Sequence, residues 1–246
     1  MKYLLRAVCV LAFAAPAAQA GGINLTWGTG CWRDNPTALS TFACDSNDGN
    51  VSFTVSFAPD EDLVAFDAIR AWLDLQSDSP ELPDWWQLTD PGGCRQGSLS
   101  TSADFAATPG GCADPWPGQP INYQNVSWRT AAFPSPLPSM PANRAQLYIA
   151  YAIKASGAVT LQRGVEYYGF TVTINFAKTV GAGACGGCST PVTIVLNTVT
   201  LRATILDTLA NPINNQCLRW QAGGVTPCSA TPTRSSTWGQ IKSLYR

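Results

Sequence analysis

Residues 167–177, Tyr-Tyr-Gly-Phe-Thr-Val-Thr-Ile-Asn-Phe-Ala, decide the fold. Tyr168, Phe170, Val172, Ile174 and Phe176 fall on one side of an extended chain, and Thr171, Thr173 and Asn175 on the other. Successive side chains of a strand point to opposite faces, so a period of two marks a half-buried strand. The same period recurs in Val51-Ser52-Phe53-Thr54-Val55-Ser56-Phe57, and in Ile23, Leu25 and Trp27 set between Asn24 and Thr26. Leu147, Ile149, Tyr151 and Ile153 alternate in the same way. Val192, Ile194 and Leu196 are followed by Val199, Leu201, Ala203 and Ile205, so the apolar face changes sides near Asn197-Thr198, which predicts a bulge or turn there. Residues 61–76 admit two readings. The acidic start Asp60-Glu61-Asp62 suits a helix N-terminus, whereas Ile69, Ala71, Leu73 and Leu75 alternate with Arg70, Asp74 and Gln76 and favour a strand. Gly97 to Phe105 reads as a further strand. Short strands separated by turn signals predict an all-β fold, an antiparallel β-sandwich of immunoglobulin-like or jelly-roll-like type with long Pro/Gly-rich loops. The segment holding Pro134, Pro136, Pro138 and Pro141 reads as one such loop.

The chain has 246 residues, 46% hydrophobic and only 13% charged. That is enough apolar surface to build a core, which sets the chain apart from disordered sequences. Histidine is absent, which removes Ser-His-Asp and Cys-His catalysis and His-ligated zinc. Residues 1–20 read as a secretory signal: Lys2 and Arg6, then apolar Ala7 to Ala15, then Ala18-Gln19-Ala20 as the cleavage site. The apolar run is too short to span a bilayer. The expected organisation is a signal over 1–20, one sandwich domain over 21–228, and a linker with a C-terminal tail over 229–246. The expected location is extracellular or cell-surface. No cluster of Lys and Arg suits nucleic acid.

Removal of the signal, with Cys9, leaves eight cysteines, an even number that fits an exported, disulfide-bonded protein. They fall into four local couples, which predicts the bridges Cys31–Cys44, Cys94–Cys112, Cys185–Cys188 and Cys217–Cys228. Cys185-Gly186-Gly187-Cys188 lies between two β-rich runs rather than at the start of a helix, so it reads as a stapled hairpin turn and not as a redox pair.

Several stretches together resemble a family of uncharacterised exported bacterial proteins. They are Gly22-Ile23-Asn24-Leu25-Thr26-Trp27, Leu82-Pro83-Asp84-Trp85-Trp86, Cys94-Arg95-Gln96-Gly97-Ser98-Leu99, Glu166-Tyr167-Tyr168-Gly169-Phe170, Ala184 to Pro191 and the ending Thr237 to Arg246. The resemblance implies export and a β-sandwich and carries no activity with it.

Four features invite a functional reading. Trp85, Trp86, Trp116 and Tyr123 lie in or near the loop-rich segment and are candidates for stacking on sugar rings, or else for covering the core. Asp45, Asn47 and Asp48 are candidate ligands of a calcium ion, but the loop's Gly falls fifth and Ser56 stands twelfth, so the spacing favours a hairpin turn. Glu166, beside an aromatic strand, is the carboxylate best placed for glycoside chemistry. Residues 21–114 carry fourteen acids and three bases, whereas residues 115–246 carry two acids and ten bases. The two halves either neutralise each other inside the sandwich or create opposed surfaces suited to head-to-tail assembly. The tail residues Trp238, Ile241, Leu244 and Tyr245 form a short amphipathic ending, able to dock on its own domain or to engage a partner. The expected function is a non-enzymatic structural or adhesive protein of the cell surface or an extracellular assembly. A carbohydrate-binding module is the alternative, and a glycoside hydrolase the third reading. No cofactor or resident metal is expected, and the expected partners are surface glycans or further copies of the chain.

Overall fold

The computed structural model describes residues 21–34, 36–89, 92–107, 110–130 and 140–222. The expected signal over 1–20, Cys228, the tail with Trp238, Ile241, Leu244 and Tyr245, and most of the Pro-rich stretch lie outside the described residues. In chain order the strands are β1 (Gly22–Trp27), β2 (Leu39–Ser40), β3 (Asn50–Ala58), β4 (Leu63–Phe66), β5 (Ala68–Ser77), β6 (Leu99–Ser102), β7 (Tyr123–Thr130), β8 (Arg144–Ala152), β9 (Val159–Leu161), β10 (Tyr167–Asn175), β11 (Val192–Arg202), β12 (Leu206–Leu209) and β13 (Cys217–Trp220). One sheet has the order β1-β3-β10-β6. The larger sheet runs β2-β13-β11-β5-β8-β7, with β12 pairing the second half of β11. A short ribbon, β4-β9, closes one end. Pairing is antiparallel except between β13 and β2. The sequence-level expectation of an antiparallel β-sandwich holds.

The inner faces follow from the period of two. Ile23, Leu25 and Trp27 on β1 and Phe53, Val55 and Phe57 on β3 meet Ile69, Ala71, Leu73 and Leu75 on β5 and Leu147, Ile149 and Tyr151 on β8 in one contiguous core. Residues 61–76 are therefore strands, because only an extended chain puts all four of those alternate β5 residues on one buried face. The expected irregularity of β11 is present: its register against β5 shifts between Leu196 and Thr198. β10 departs from the sequence reading. Its register against β3 shifts between Tyr168 and Phe170, so Tyr168 stands opposite Ser56 on the outer face while Phe170 stands opposite Val55 on the inner one. Gly169 occupies that bulge because a Cβ there would approach the Val55 carbonyl oxygen to 2.9 Å.

The disulfides are not local. Cys31 bonds Cys112, Cys44 bonds Cys188 and Cys94 bonds Cys185, across 81, 144 and 91 residues of sequence. The expected pairs Cys31–Cys44, Cys94–Cys112 and Cys185–Cys188 are thereby overturned. Cys217 is also disulfide-bonded; its expected partner, Cys228, is among the residues not described. Nearness in sequence misleads here because the loops that meet in space belong to strands distant in the chain. Gly187 explains the tight Cys185–Cys188 spacing. Its φ is +100° and an added Cβ would come within 2.2 Å of the Pro83 ring, so the turn lies flush on residue 83 and sends its two cysteines to two different loops. Bridges that close long loops restrict the unfolded chain most, each stabilising by about 4–5 kcal/mol in the chain-entropy account.

Trp85 and Trp86 are fully buried. Both pack on Trp220, at ring-centroid distances of 4.9 and 5.3 Å, and Trp85 Nε1 donates to Thr179 Oγ1 at 3.0 Å. Arg95, only 1% exposed, lies over the Trp85 ring at 3.6 Å. Its Nε donates to the Ala177 carbonyl at 2.9 Å, one terminal nitrogen to the Trp85 carbonyl at 3.0 Å, and the other to the Asn175 carbonyl. Burial pushes this guanidinium down to about 10, which leaves it charged at neutral pH. The charge asymmetry of the sequence is partly consumed inside the molecule: Arg202 of the basic half pairs with Asp67 of the acidic half, and Arg219 with Asp78. Replacing Arg95 with Ala leaves three carbonyls without donors and a void beside Trp85. Arg95→Ala is expected to lower unfolding free energy by about 3–5 kcal/mol, measured by urea denaturation with the disulfides intact.

Candidate functional site

β6 ends the smaller sheet and β7 ends the larger one, and the two edges do not pair with each other. The gap between them is a cleft of about 530 Å³. One side is β6, through Thr101 and Ser102; the other is built by Gln124 of β7 and Tyr151 of β8. The floor and far wall come from the turn at Asp104–Phe105 and the loop Asp114–Ile121. Two hydrogen bonds span the gap: Tyr151 donates its phenol proton to Thr101 Oγ1 at 2.6 Å, and Gln124 Nε2 donates to the same oxygen at 3.0 Å. Thr101 Oγ1 thus accepts twice and keeps its own proton to donate.

The two carboxylates of the cleft are oriented by their own backbone. Asp104 Oδ1 accepts from the Ala106 N–H at 3.0 Å, and Asp114 Oδ1 accepts from the Trp116 N–H at 2.8 Å. These are Asx turns, which fix the side chain and leave the second oxygen of each carboxylate to accept from a ligand. The cleft therefore offers carboxylate and carboxamide acceptors, hydroxyl and amide donors, and the rings of Phe105, Trp116 and Tyr151. Tyr151 is 2% exposed. Burial pushes its phenol up to about 12; the hydrogen bond to Thr101 opposes that rise and the nearby Tyr168 adds to it. It is accordingly a neutral hydrogen-bond donor across the usable pH range.

The sequence candidates scatter. Trp116 does reach the cleft, but at 4% exposure it is chiefly a core residue, stacked on Phe66 with centroids 5.2 Å apart and planes 9° from parallel. Trp85 and Trp86 are in the core, so neither can stack on a ligand; the loop that carries them folds inward because it has no strand partner to cover its apolar side chains. Tyr123, 53% exposed, points to the opposite side of β7 from Gln124 and shares a depression on the outer face of the larger sheet with Tyr148, Arg70 and Leu206. In the 45–50 loop, Asn47 Oδ1 accepts the backbone N–H groups of Thr179 and Val180 at 2.8 and 3.0 Å, so this carboxamide ties two loops together as a turn residue does. Among the described residues no group of three or more His, Cys, Asp or Glu is arranged to hold a metal ion. Glu166 is 6% exposed and lies outside the cleft, in a second pocket against β1.

Sequence reasoning missed Thr101, Asp104, Asp114, Gln119 and Gln124. The one signal for them was indirect: a polar-rich stretch between two predicted strands that carries two short Asx-turn sequences, Asp104-Phe105-Ala106 and Asp114-Pro115-Trp116.

No family model and no curated protein matches the chain. Among solved structures it is similar to one described as "AvmM Catalyzes Macrocyclization in Alchivemycin A Biosynthesis", at 12% identity and a TM-score of 0.33, over 86% of this chain and 93% of that one. A likeness at that level carries no argument about chemistry.

The raised Tyr151 pKa makes a stability statement. The unfolded phenol ionises near its ordinary value of 10.0, while the folded one holds its proton to about 12. The stabilisation from the neutral, buried phenol is complete below pH 10 and is lost as pH rises towards 12. Tyr151→Phe is expected to cost about 1 kcal/mol at pH 8 through the lost hydrogen bond. The gap from the parent is expected to shrink between pH 10 and 12, followed by thermal unfolding at stepped pH.

Proposed function

We propose that this chain is an exported, non-enzymatic adhesive protein that grips surface glycans in the cleft between its two sheets. The observation that carries the reading is the lining of that cleft. Sugar hydroxyls both donate and accept, and the carboxylates of Asp104 and Asp114, the carboxamides of Gln119 and Gln124 and the Thr101 hydroxyl offer both complements within one cavity. Sugar C–H faces pack on aromatic rings, and Phe105 and Trp116 supply apolar surface beside those polar groups. The cavity size falls within the range of small-ligand sites, about 300–1,000 Å³. Export is supported by the basic, apolar and Ala-x-Ala start of the sequence and by three disulfides that an oxidising compartment would preserve. The disulfide-braced loops hold a rigid binding surface, as adhesion outside the cell demands.

Screening on a glycan array, followed by calorimetric titration of the best neutral oligosaccharide, tests the reading. Saturable binding is expected, weakened at least tenfold (about 1.4 kcal/mol) by Gln124→Ala or Asp114→Ala and unchanged by Tyr123→Ala on the opposite face. Loss of binding in Tyr123→Ala alone would move the site to the outer face of the larger sheet. Shortening of the glycan, abolished by Asp114→Asn, would replace adhesion with hydrolysis.

A further inference from the structure

A second pocket, of about 320 Å³, lies on the outer side of the smaller sheet, away from the glycan cleft. Glu166 lies within it. The residue immediately precedes β10, and its position is fixed from several directions. Its carbonyl accepts from the Ala113 N–H at 2.8 Å, and the next turn of that ladder is the Tyr168 N–H donating to the Ala113 carbonyl at 3.0 Å. Its side-chain Oε1 accepts from Asn24 Nδ2 at 2.9 Å and from Ser56 Oγ at 2.6 Å. Asn24 is held in turn, its Oδ1 accepting from the Asn214 N–H at 3.0 Å. A carboxylate nine-tenths buried thus has one oxygen fully used by neutral donors.

The other oxygen is different. Oε2 has no hydrogen-bond donor among the described residues; the guanidinium of Arg33 stands off at 3.9 Å, too far for a hydrogen bond. The Arg33 side chain is 59% exposed, so it can swing at the pocket mouth, whereas Glu166 cannot move. Trp32 forms a wall. The bridge Cys31–Cys112 anchors both flanks, since Cys31 precedes Trp32 and Cys112 precedes the Ala113 that positions Glu166. The pocket therefore presents a fixed anion, an adjustable and exposed cation, and an indole on its wall.

We propose that this pocket binds a small zwitterion of the α-amino-acid class, a ligand separate from the glycan. A purely cationic ligand is opposed by Arg33 and a purely anionic one by Glu166. A ligand carrying both charges a few ångströms apart replaces one long internal ion pair with two short, charge-assisted contacts. Its ammonium group donates to Glu166 Oε2 with the indole of Trp32 beside it, a favourable setting for a cation. Its carboxylate meets the Arg33 guanidinium at the mouth. The volume lies at the lower end for ligand sites, which suits a free amino acid rather than a peptide.

The test is calorimetric titration of the full disulfide-bonded chain with free α-amino acids, their N-acetyl derivatives and their methyl esters. Free amino acids are expected to bind, with N-acetylation or esterification each weakening affinity at least tenfold. Glu166→Gln is expected to abolish binding. Arg33→Gln, at an exposed site that does not burden folding, is expected to weaken the free acid at least tenfold and to strengthen the cationic methyl ester, which Arg33 opposes. Gln124→Ala is expected to leave amino-acid binding intact, so failure here and failure of the glycan reading are separable. Absence of binding at 10 mM (about 2.7 kcal/mol of affinity), equal binding of the N-acetyl derivatives, or preference for a neutral monosaccharide each overturns the proposal.

Discussion

The contact on which most of the molecule depends is the packing around Trp220. This ring, fully buried at the end of β13, lies within 6.3 Å of the rings of Trp27, Phe42, Trp85, Trp86 and Phe176. Its indole N–H donates to the Cys188 carbonyl at 2.7 Å. Through that set it joins both sheets, the loop that carries Phe42 and Cys44, the turn that carries Trp85 and Trp86, and the Cys185–Cys188 turn. Large aromatic surfaces release more water per residue than any other side chain, and their polar edge atoms need a partner once buried. Long loops have no ladder of their own, so burial of this kind is what gives them a fixed place. The disulfides Cys44–Cys188 and Cys94–Cys185 fasten the same loops that the aromatic cluster holds.

The same arrangement explains why binding space lies where it does. The core is densely filled beside Trp220 and beneath β5 and β8, but the sheets have unequal widths and their outer edges, β6 and β7, remain apart. Water-accessible edges expose unpaired backbone, and proteins cover such edges with loops. Here the covering segments, 103–107 and 113–121, are held by Asx turns and by the Trp116–Phe66 stack. The result is a cleft whose walls are rigid and whose lining is polar. On the other side of the smaller sheet the covering loop is held by Cys31–Cys112 and encloses Glu166. Each loop that protects a sheet surface also builds a cavity.

Charge follows a similar logic. In the sequence the acids crowd the first half and the bases the second. In the fold β11 runs between β5 and β13, so Arg202 meets Asp67 and Arg219 meets Asp78. Arg219 is well buried, and one of its terminal nitrogens also donates to Thr193 Oγ1, at 2.6 Å, which together with Asp78 offsets much of the cost of burying the charge, although its Nε has no hydrogen-bond partner among the described residues. Polarity along the chain is thereby converted into cross-strand attachment.

The sequence by itself determined the fold class, the long alternating strands and most inward-facing residues, because alternation is local: a side chain's face depends on its immediate neighbours. β7 and the short strands β2, β9, β12 and β13, which lack that alternation, were not legible. Even the irregular point of β11 was visible in where its apolar face changed sides. Residues 61–76 became strands once Ile69, Ala71, Leu73 and Leu75 shared a buried face. Tertiary structure alone decided the disulfide partners, the burial of Trp85 and Trp86, and the composition of both cavities. Those depend on which distant loops meet, and loops that leave strands 81 to 144 residues apart carry no mark of each other in the sequence. Tyr123 and Gln124 show the limit at its finest. They are neighbours in the chain, yet pleating sends one to the outer face and the other into the cleft, and only the assembled sheets determine which side holds a site.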